Sequence, residues 1–432
     1  MERDAYRELL KWKQRRDRQP LVLNGARQVG KTWLLNEFGR REYKNTAVIN
    51  FDQHPELQDI FQDYDTGRLL RMFSAISNEP IIPGETLLIL DEIQEAPKAL
   101  TSLKYFCENA GEYHIAAAGS LLGLSVHQGT GYPVGKTDEI QIYPLSFSEF
   151  LNAMGKEQLL AQIHQRRWSE LNSLLPMLKE LQRQYYYTGG MPAVVKAYSE
   201  SGDLNRVREI QQQILREYER DFSKHIPPQI LPKVRMVWNS IPSQLARENK
   251  KFIYGALKKG GRAKEFADAI QWLQDAGLVY RVTRLTKVCA PLKSYEDISA
   301  FKLYMADLGL LGAMSGVSAK QMLVDPSVFA EYKGSFTEQY VLQQLVAEGI
   351  RPYYYSNETS TIEIDFIIQK EAVYPIEVKA EENLRSKSLR TVVNKSGCLP
   401  GWRFSLSPYR EQEWMINVPL PLVQEWVRAA DT

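Results

Sequence analysis

The sequence has 432 residues, more than one hydrophobic core usually organises, so two or three domains are expected. A hydrophobic share of 44% and a charged share of 25% fit a globular chain and exclude a low-complexity one. The formal net charge of +2 excludes a basic field spread over the whole molecule, so any nucleic-acid role must rest on a local patch.

Cys107, Cys289 and Cys398 are odd in number, far apart and without a CxxC companion. That pattern speaks against a disulfide framework or a zinc site and fits a reducing cytoplasm. Met1 to Asp4 opens without the apolar core of a signal peptide, and no run approaches the roughly 18 apolar residues of a membrane span.

From Glu2 to Arg18, Tyr6, Leu9 and Leu10 recur at helical spacing, and Arg15 to Arg18 reads as a solvated face. The run from Leu21 to Thr32 then reads as a buried strand feeding a Gly-x-x-x-x-Gly-Lys-Thr loop. Glycines at 25 and 30 let successive backbone N–H groups turn onto phosphate oxygens, and a helix starting near Thr32 aims its positive end at them. Lys31 is expected to reach the β- and γ-phosphates, and Thr32 to offer its hydroxyl to Mg²⁺. The expected ATP-binding set is Gly25, Ala26, Arg27, Gln28, Val29, Gly30, Lys31, Thr32 and Trp33, with Gly39 as a helix stop.

Ala47 to Asp52 is a second strand, and the alternation of strand and helix predicts a parallel sheet. Thr86 to Ile93 is an apolar strand ending in two acids, a Walker B pattern in which Asp91 binds Mg²⁺ through its waters and Glu92 acts as general base on the attacking water. A further apolar strand ends at Ser120, which can sense the γ-phosphate or cap a helix that follows. His114 is read as structural.

These motifs, with Ala118 to Ser120, Tyr143 to Leu151, Tyr187 to Ala193 and Phe336 to Glu338, together resemble the prokaryotic AAA-type ATPases, related to the STAND group, that carry a C-terminal domain of unknown function. The resemblance implies ATP hydrolysis and a helical lid. It also implies a role for Pro192, since Gly190 to Pro192 is similar to a Gly-x-Pro element placed near the adenine in related signalling ATPases; a helix entered through a Gly-Gly turn explains the same letters. Arg27, Arg216 and Arg220 are the candidates for an arginine finger, and one supplied in trans would imply an oligomer.

Glu149 to Ser223 is helical in pattern. Phe266, Ile270 and Leu273 share a helical face that leads into Gly277 to Val282, a helix-then-wing pattern resembling a winged helix, with Lys258, Lys259, Arg262 and Lys264 where DNA phosphates could meet it. Thr361 to Ile368 and Ala372 to Lys379 then read as two alternating strands of a hairpin. Period-two geometry puts Glu363 and Asp365 on one face of the first strand and Glu377 and Lys379 on one face of the second, while Ile364, Phe366, Ile376 and Val378 face the core. That constellation matches the PD-(D/E)xK nuclease fold: Asp365 and Glu377 would hold Mg²⁺, Lys379 would orient the water, and Glu338 would be an additional acid. Pro375 departs from the pattern, because that family places its proline near the first acid, and cross-strand Glu/Lys pairing without a metal explains the same residues.

The expected fold is α/β: a P-loop NTPase core with a parallel sheet over residues 1–150, a helical lid over 151–228, a winged-helix domain over 229–300, and a C-terminal restriction-endonuclease-like α/β domain over 301–432. Three functions stay open at this point: an ATP-hydrolysing switch, an ATP-regulated metal-dependent DNA nuclease, and a scaffold for protein partners.

Overall fold

A parallel strand pair needs a crossover long enough to return the chain to the same edge, and helices covering both faces make such strands continuously apolar. In the computed structural model, which describes residues 2–120, 133–324, 330–359, 361–381 and 386–430, the N-terminal part follows that logic. Its elements are α1 (Ala5–Gln14), β1 (Leu21–Asn24), α2 (Lys31–Glu42), β2 (Asn45–Asn50), α3 (Thr66–Ser77), β3 (Thr86–Asp91), α4 (Pro97–Asn109), β4 (His114–Ala118) and β5 (Asp138–Gln141). All five strands are parallel, in the order β2-β3-β4-β1-β5. Leu88 and Leu90 of β3 pack with Ile49, Phe73, Leu103 and Phe106 in one buried cluster. This is an α/β core with a parallel sheet, consistent with the P-loop NTPase core expected from the sequence. Because β4 lies between β1 and β3, the loop after β1 and the acids after β3 stand one strand apart, with the tip of β4 between them.

The chain forms two compact units, and the first comprises everything up to Tyr143 together with Asp275–Leu278. The second, Pro144–Gln274 with Val279–Thr432, begins with helices: α5 (Phe147–Ala153), α6 (Glu157–His164), α7 (Leu175–Thr188), α8 (Pro192–Ser201), α9 (Leu204–His225), α10 (Leu231–Leu245) and α11 (Ala263–Asp275). It continues with β6 (Val279–Leu285), β7 (Glu296–Met305), α12 (Leu308–Met314), α13 (Ala330–Ala347), β8 (Tyr353–Ser356), β9 (Glu363–Gln369), β10 (Val373–Val378), α14 (Lys387–Ser396), β11 (Gly401–Ser405), β12 (Arg410–Glu411), β13 (Met415–Pro419) and α15 (Val423–Ala429). Its eight strands make one mixed sheet in the order β12-β13-β11-β10-β9-β8-β6-β7, in which β10, β11 and β13 run parallel.

One expectation changes. Gly39 does not stop α2, which runs on to Glu42; a side chain there would put its first carbon 2.3 Å from Thr46 Oγ1, so glycine serves the close approach of β2. The strand after Gly277, β6, pairs with β7 and also with β8, Arg284 with Tyr354 and Leu285 with Tyr355, and residues 300 and 301 lie inside β7. The helical character read for Glu149 to Ser223 agrees with α5 to α9.

Helix α13 is the axis of the second unit. Phe336 through Leu345 are all buried, so over this stretch the helix has no solvent face and its polar side chains must find partners inside. Gln339 binds both the N–H and the carbonyl of Met305 at 3.1 and 2.7 Å. Gln343 accepts from Leu308 N and donates to Tyr185 Oη, and Gln344 accepts from Phe147 N.

The same interior fixes Gly190. Its N–H donates to Asp307 Oδ2 at 2.6 Å, its carbonyl accepts from Leu145 N at 2.7 Å, and a side chain would meet Leu145 O at 2.2 Å. Gly190→Ala is therefore expected to destabilise the protein by about 3 kcal/mol, through overpacking and lost buried hydrogen bonds. Gly202→Ala, at φ +65° in open space, should cost only about 1–2 kcal/mol of backbone strain. Chemical denaturation of the two variants would test this ranking, and equal losses would remove the steric account.

Candidate nucleotide site and a buried carboxylate cluster

The phosphate loop is built from backbone torsions few residues adopt. Gly25, Gln28 and Gly30 have φ of +145°, +67° and +91°, which turn successive N–H groups toward one concavity. Gly25 is forced by space as well, since a side chain would lie 2.2 Å from Ile142 O. Helix α2 begins at Lys31, so the unpaired N–H groups of its first turn end at the same place.

Lys31 is buried, and its Nζ donates to the carbonyls of Gly25 and Ala26 at 2.8 Å each. Burial lowers its pKa from 10.5 to about 8, against the opposing charges of Glu92 and Asp91. Thr32 Oγ1 donates to Asp91 Oδ1 at 2.9 Å, and Asn50 Nδ2 to Asp91 Oδ2 at 3.1 Å. Burial nonetheless raises the Asp91 carboxyl above the usual range, with the Thr32 bond opposing. A hydroxyl and a carboxylate in contact are hard oxygen donors, and this pair fits Mg²⁺.

Glu92 follows at φ +50°, a left-handed conformation unusual for a residue with a side chain. Its Oε2 accepts from Gln94 Nε2 at 2.6 Å and lies 3.5 Å from Ser120 Oγ, while Gln94 Oε1 accepts from Ser120 N at 3.3 Å. The fold thus brings Glu92 and Ser120 together as expected, and adds Gln94 as the side chain that ties them. A helix capped by Ser120 would fall in residues 121–132, outside the described residues. Arg27 and Trp33 are exposed. His114 is structural, buried in β4 with Nδ1 2.7 Å from Tyr43 Oη.

Two residues that the sequence motifs did not flag hold the loop from outside. The buried Arg3 guanidinium donates to Val29 O at 2.8 Å and to Tyr143 O at 2.6 Å, tying the loop to the segment after β5. Gly277, at φ +71°, brings its backbone against the loop, and a side chain there would lie 3.1 Å from Ala26 N. Nothing in the local sequence around Arg3 or Gly277 signals this, because both partners are distant along the chain.

In the second unit, Ile376 pairs with Phe366, a register that carries Glu377 opposite Asp365 on one face. Asp365 Oδ2 accepts from Val378 N at 2.7 Å, and Lys379 Nζ lies 3.1 Å from Glu377 Oε1. Glu377 Oε2 is buried and makes no hydrogen bond among the described residues. Ile364, Phe366, Ile376 and Val378 are buried, as their alternation requires.

Glu338 keeps different company. It accepts from Lys250 Nζ at 2.7 Å and Tyr304 Oη at 2.9 Å, with Lys302 Nζ at 3.7 Å; the fully buried Lys302 also donates to Glu363 at 2.6 Å. Burial pushes the Glu338 carboxyl up, but the two ammonium groups outweigh it and hold it near about 2. Asp365 is raised to about 7, by burial first and then by the charge of Glu338. Among the described residues, no three His, Cys, Asp or Glu side chains stand close enough to hold a metal ion. The sequence reading missed Lys250, Lys302 and Tyr304.

Pro192 opens α8 in the second unit, next to the Gly190 N–H that Asp307 holds. Lys258, Lys259, Arg262 and Lys264 are exposed, with Lys258 paired to Glu265 at 2.8 Å. No helix among the described residues is long and apolar enough to cross a membrane.

Residues 17–151 match the family described as an AAA domain, 179–321 match a domain of unknown function, DUF8612, and 333–421 match another, DUF4143. No curated protein matches the chain. Among solved structures, the chain is similar to the Walker-type ATPase PABY2304 of Pyrococcus abyssi at 15% identity and TM-score 0.46, covering 72% of this chain and 94% of that one. The Aeropyrum pernix ORC1 protein in complex with DNA aligns at 13% identity and TM-score 0.29, covering 72% and 91%. The Thermotoga maritima RuvB Holliday junction branch migration motor aligns at 14% and 0.31, covering 65% and 90%.

Losing the Arg3 fork releases the loop at Val29. Arg3→Ala is expected to weaken MgATP binding about tenfold, roughly 1.4 kcal/mol, and Arg3→Lys to recover only part of it, because an ammonium cannot span both carbonyls. Nucleotide titration by calorimetry measures this; unchanged affinity in both variants would exclude the role.

Proposed function

We propose that the AAA-type P-loop ATPase domain of this chain binds and hydrolyses MgATP and uses the nucleotide state as a switch for the second unit. The observation that carries the reading is the 2.9 Å bond between Thr32 Oγ1 and Asp91 Oδ1, which joins the phosphate loop to the acids after β3 across the intervening strand. The triphosphate is received by the N–H groups of the loop and the first turn of α2. Lys31 turns from the carbonyls of Gly25 and Ala26 to the phosphates. Thr32 and Asp91 would hold Mg²⁺, which would neutralise phosphate charge.

Glu92, positioned by Gln94, takes the proton of the attacking water, and Ser120 steadies that water or a phosphate oxygen. Support for the switch comes from Asp275–Leu278, which belong to the ATPase unit, with Gly277 on Ala26. From that turn the chain runs directly back into α11 and on into β6, the helix and strand of the proposed winged-helix segment. The free cysteines and the ATP requirement suit a cytoplasmic protein.

A second reading, metal-dependent DNA cleavage under ATP control, is favoured by Asp365, Glu377 and Lys379 sharing one face and by Glu377 Oε2, which has no hydrogen-bond partner among the described residues and is an oxygen suited to a divalent ion. The exposed Lys258, Lys259, Arg262 and Lys264 would meet DNA phosphates. Glu338 stands outside such a metal set, because Lys250 and Lys302 already neutralise it.

Lys31→Ala should abolish MgATP binding. Glu92→Gln should keep binding within a few-fold while lowering turnover by roughly 10²–10⁴, and unchanged ATPase rates in both variants would overturn the first reading. Incubation of the protein with DNA and Mg²⁺ or Mn²⁺, with and without ATP, tests the second. Cleavage that Asp365→Ala abolishes supports it. DNA binding without cleavage leaves a DNA-bound switch, and neither result leaves a switch for protein partners.

A further inference from the structure

A divalent ion such as Mg²⁺ is commonly held by one or two carboxylates together with its own waters. In the second unit, Glu338 of α13 and Glu363 of β9 converge as such a pair would, and the group between them is the ammonium of Lys302. Its Nζ lies 2.6 Å from Glu363 Oε1 and 3.7 Å from Glu338 Oε2. It also lies 5.0 Å from the centre of the Tyr354 ring, whose electron-rich face attracts a cation. Lys302 is fully buried on β7, and Tyr304, two residues on and therefore on the same face, donates to Glu338 at 2.9 Å.

The positive charge here is permanent. Burial pulls the Lys302 pKa down, but the carboxylates of Glu338, Glu363 and Asp365 outweigh it and hold the group above its usual 10.5, so it is an ammonium at neutral pH. Lys250 brings a second ammonium to Glu338, at 2.7 Å, and there too the carboxylate outweighs burial. Two ammonium groups carry the charge of one divalent ion, and both are tethered to the chain. The Glu363 side chain is 26% exposed, so an ion from solvent could reach this end of the cluster, and Lys302 already stands there.

We infer that Lys302 is a built-in cation, which fills at the α13 end of the carboxylate cluster the place that a divalent ion would take between Glu338 and Glu363. The acid that the sequence pattern offers as an additional metal ligand, Glu338, is thereby engaged from within the protein. Under the cleavage reading, this limits the site to the single ion that Asp365 and Glu377 would hold. The inference does not rest on that reading, because Lys302 engages both acids whether or not Asp365 and Glu377 take an ion.

Counting bound Mn²⁺ by electron paramagnetic resonance on the nucleotide-free full chain tests it. Glu363→Gln, which keeps Lys302, should leave Mn²⁺ binding as in the wild type. Lys302→Met removes the charge but keeps most of the bulk, and should bind one more Mn²⁺ per chain than the wild type; combining it with Glu363→Gln should lose that ion again. Removing one partner of a buried ion pair destabilises a protein, so Lys302→Met is also to be refolded with and without Mn²⁺, and a variant that fails to fold alone should be recovered by the ion. Mn²⁺ binding weakened by Glu363→Gln in the presence of Lys302, an unchanged count in Lys302→Met, or a Lys302→Met chain that Mn²⁺ does not recover would each overturn the inference. An ion held by Asp365 and Glu377 would be seen in the wild type and lost in Asp365→Ala; its absence would count against the cleavage reading and leave the role of Lys302 to the other variants.

Discussion

A charge withdrawn from water must meet an opposite charge or a set of hydrogen-bond donors, and this constraint separates the parts of the protein that are finished from those that await a ligand. Glu338 is finished. Two ammonium groups and a phenol surround it, and its carboxyl is held near about 2 despite full burial. Around the phosphate loop the balance is incomplete in both signs at once: burial drags the Lys31 ammonium down to about 8 and raises the Asp91 carboxyl. An anion beside Lys31 and a cation beside Asp91 would restore both, and magnesium triphosphate brings the two together in one ligand.

The sheet topology explains why these unfinished charges are neighbours. With β4 inserted between β1 and β3, the loop after β1 and the acids after β3 can touch only past the tip of β4, and Thr32 and Asp91 do so. The same tip carries Ser120, whose N–H reaches Gln94 while Gln94 holds Glu92. The left-handed backbone at Glu92 turns the chain so that the residue two positions later folds back on its carboxylate. Residues 91 to 94 thus place the Asp91 carboxylate, the Glu92 carboxylate and the Gln94 amide that holds it within four consecutive residues.

How much of this was legible depends on how local each signal is. The phosphate loop and the acid pair are contiguous stretches whose spacing alone dictates their torsions and strand ends, and the residues expected there lie together. The alternation of Ile364, Phe366, Ile376 and Val378 likewise announced the hairpin, because a strand face is written every second residue. Arg3, Gly277, Lys250 and Lys302 left no such trace, since each acts on a partner far along the chain. Gly39 misled because glycine usually ends helices, whereas here it admits Thr46. From Phe336 to Leu345 helix α13 has no amphipathic stripe to read: this stretch is buried on every side, and its glutamines bind the backbone around Met305, Leu308 and Phe147.

The pairing of β6 with β8 bears on the proposed switch. A wing standing alone could swing without disturbing anything else, but Arg284 and Leu285 pair with Tyr354 and Tyr355, and β8 in turn pairs with β9, which carries Asp365. The turn at Asp275–Leu278 sits between α11 and β6 along the chain and keeps its glycine on Ala26. Any shift of Ala26 as phosphate fills the loop would therefore press on a turn covalently joined to β6, and from β6 the hydrogen-bonded ladder leads strand by strand to β9. Hydrogen-bonded strands resist sliding, because a one-residue slip would turn every buried side chain to the other face. The displacement available to the turn is thus limited to bending or local loosening at that end of the sheet.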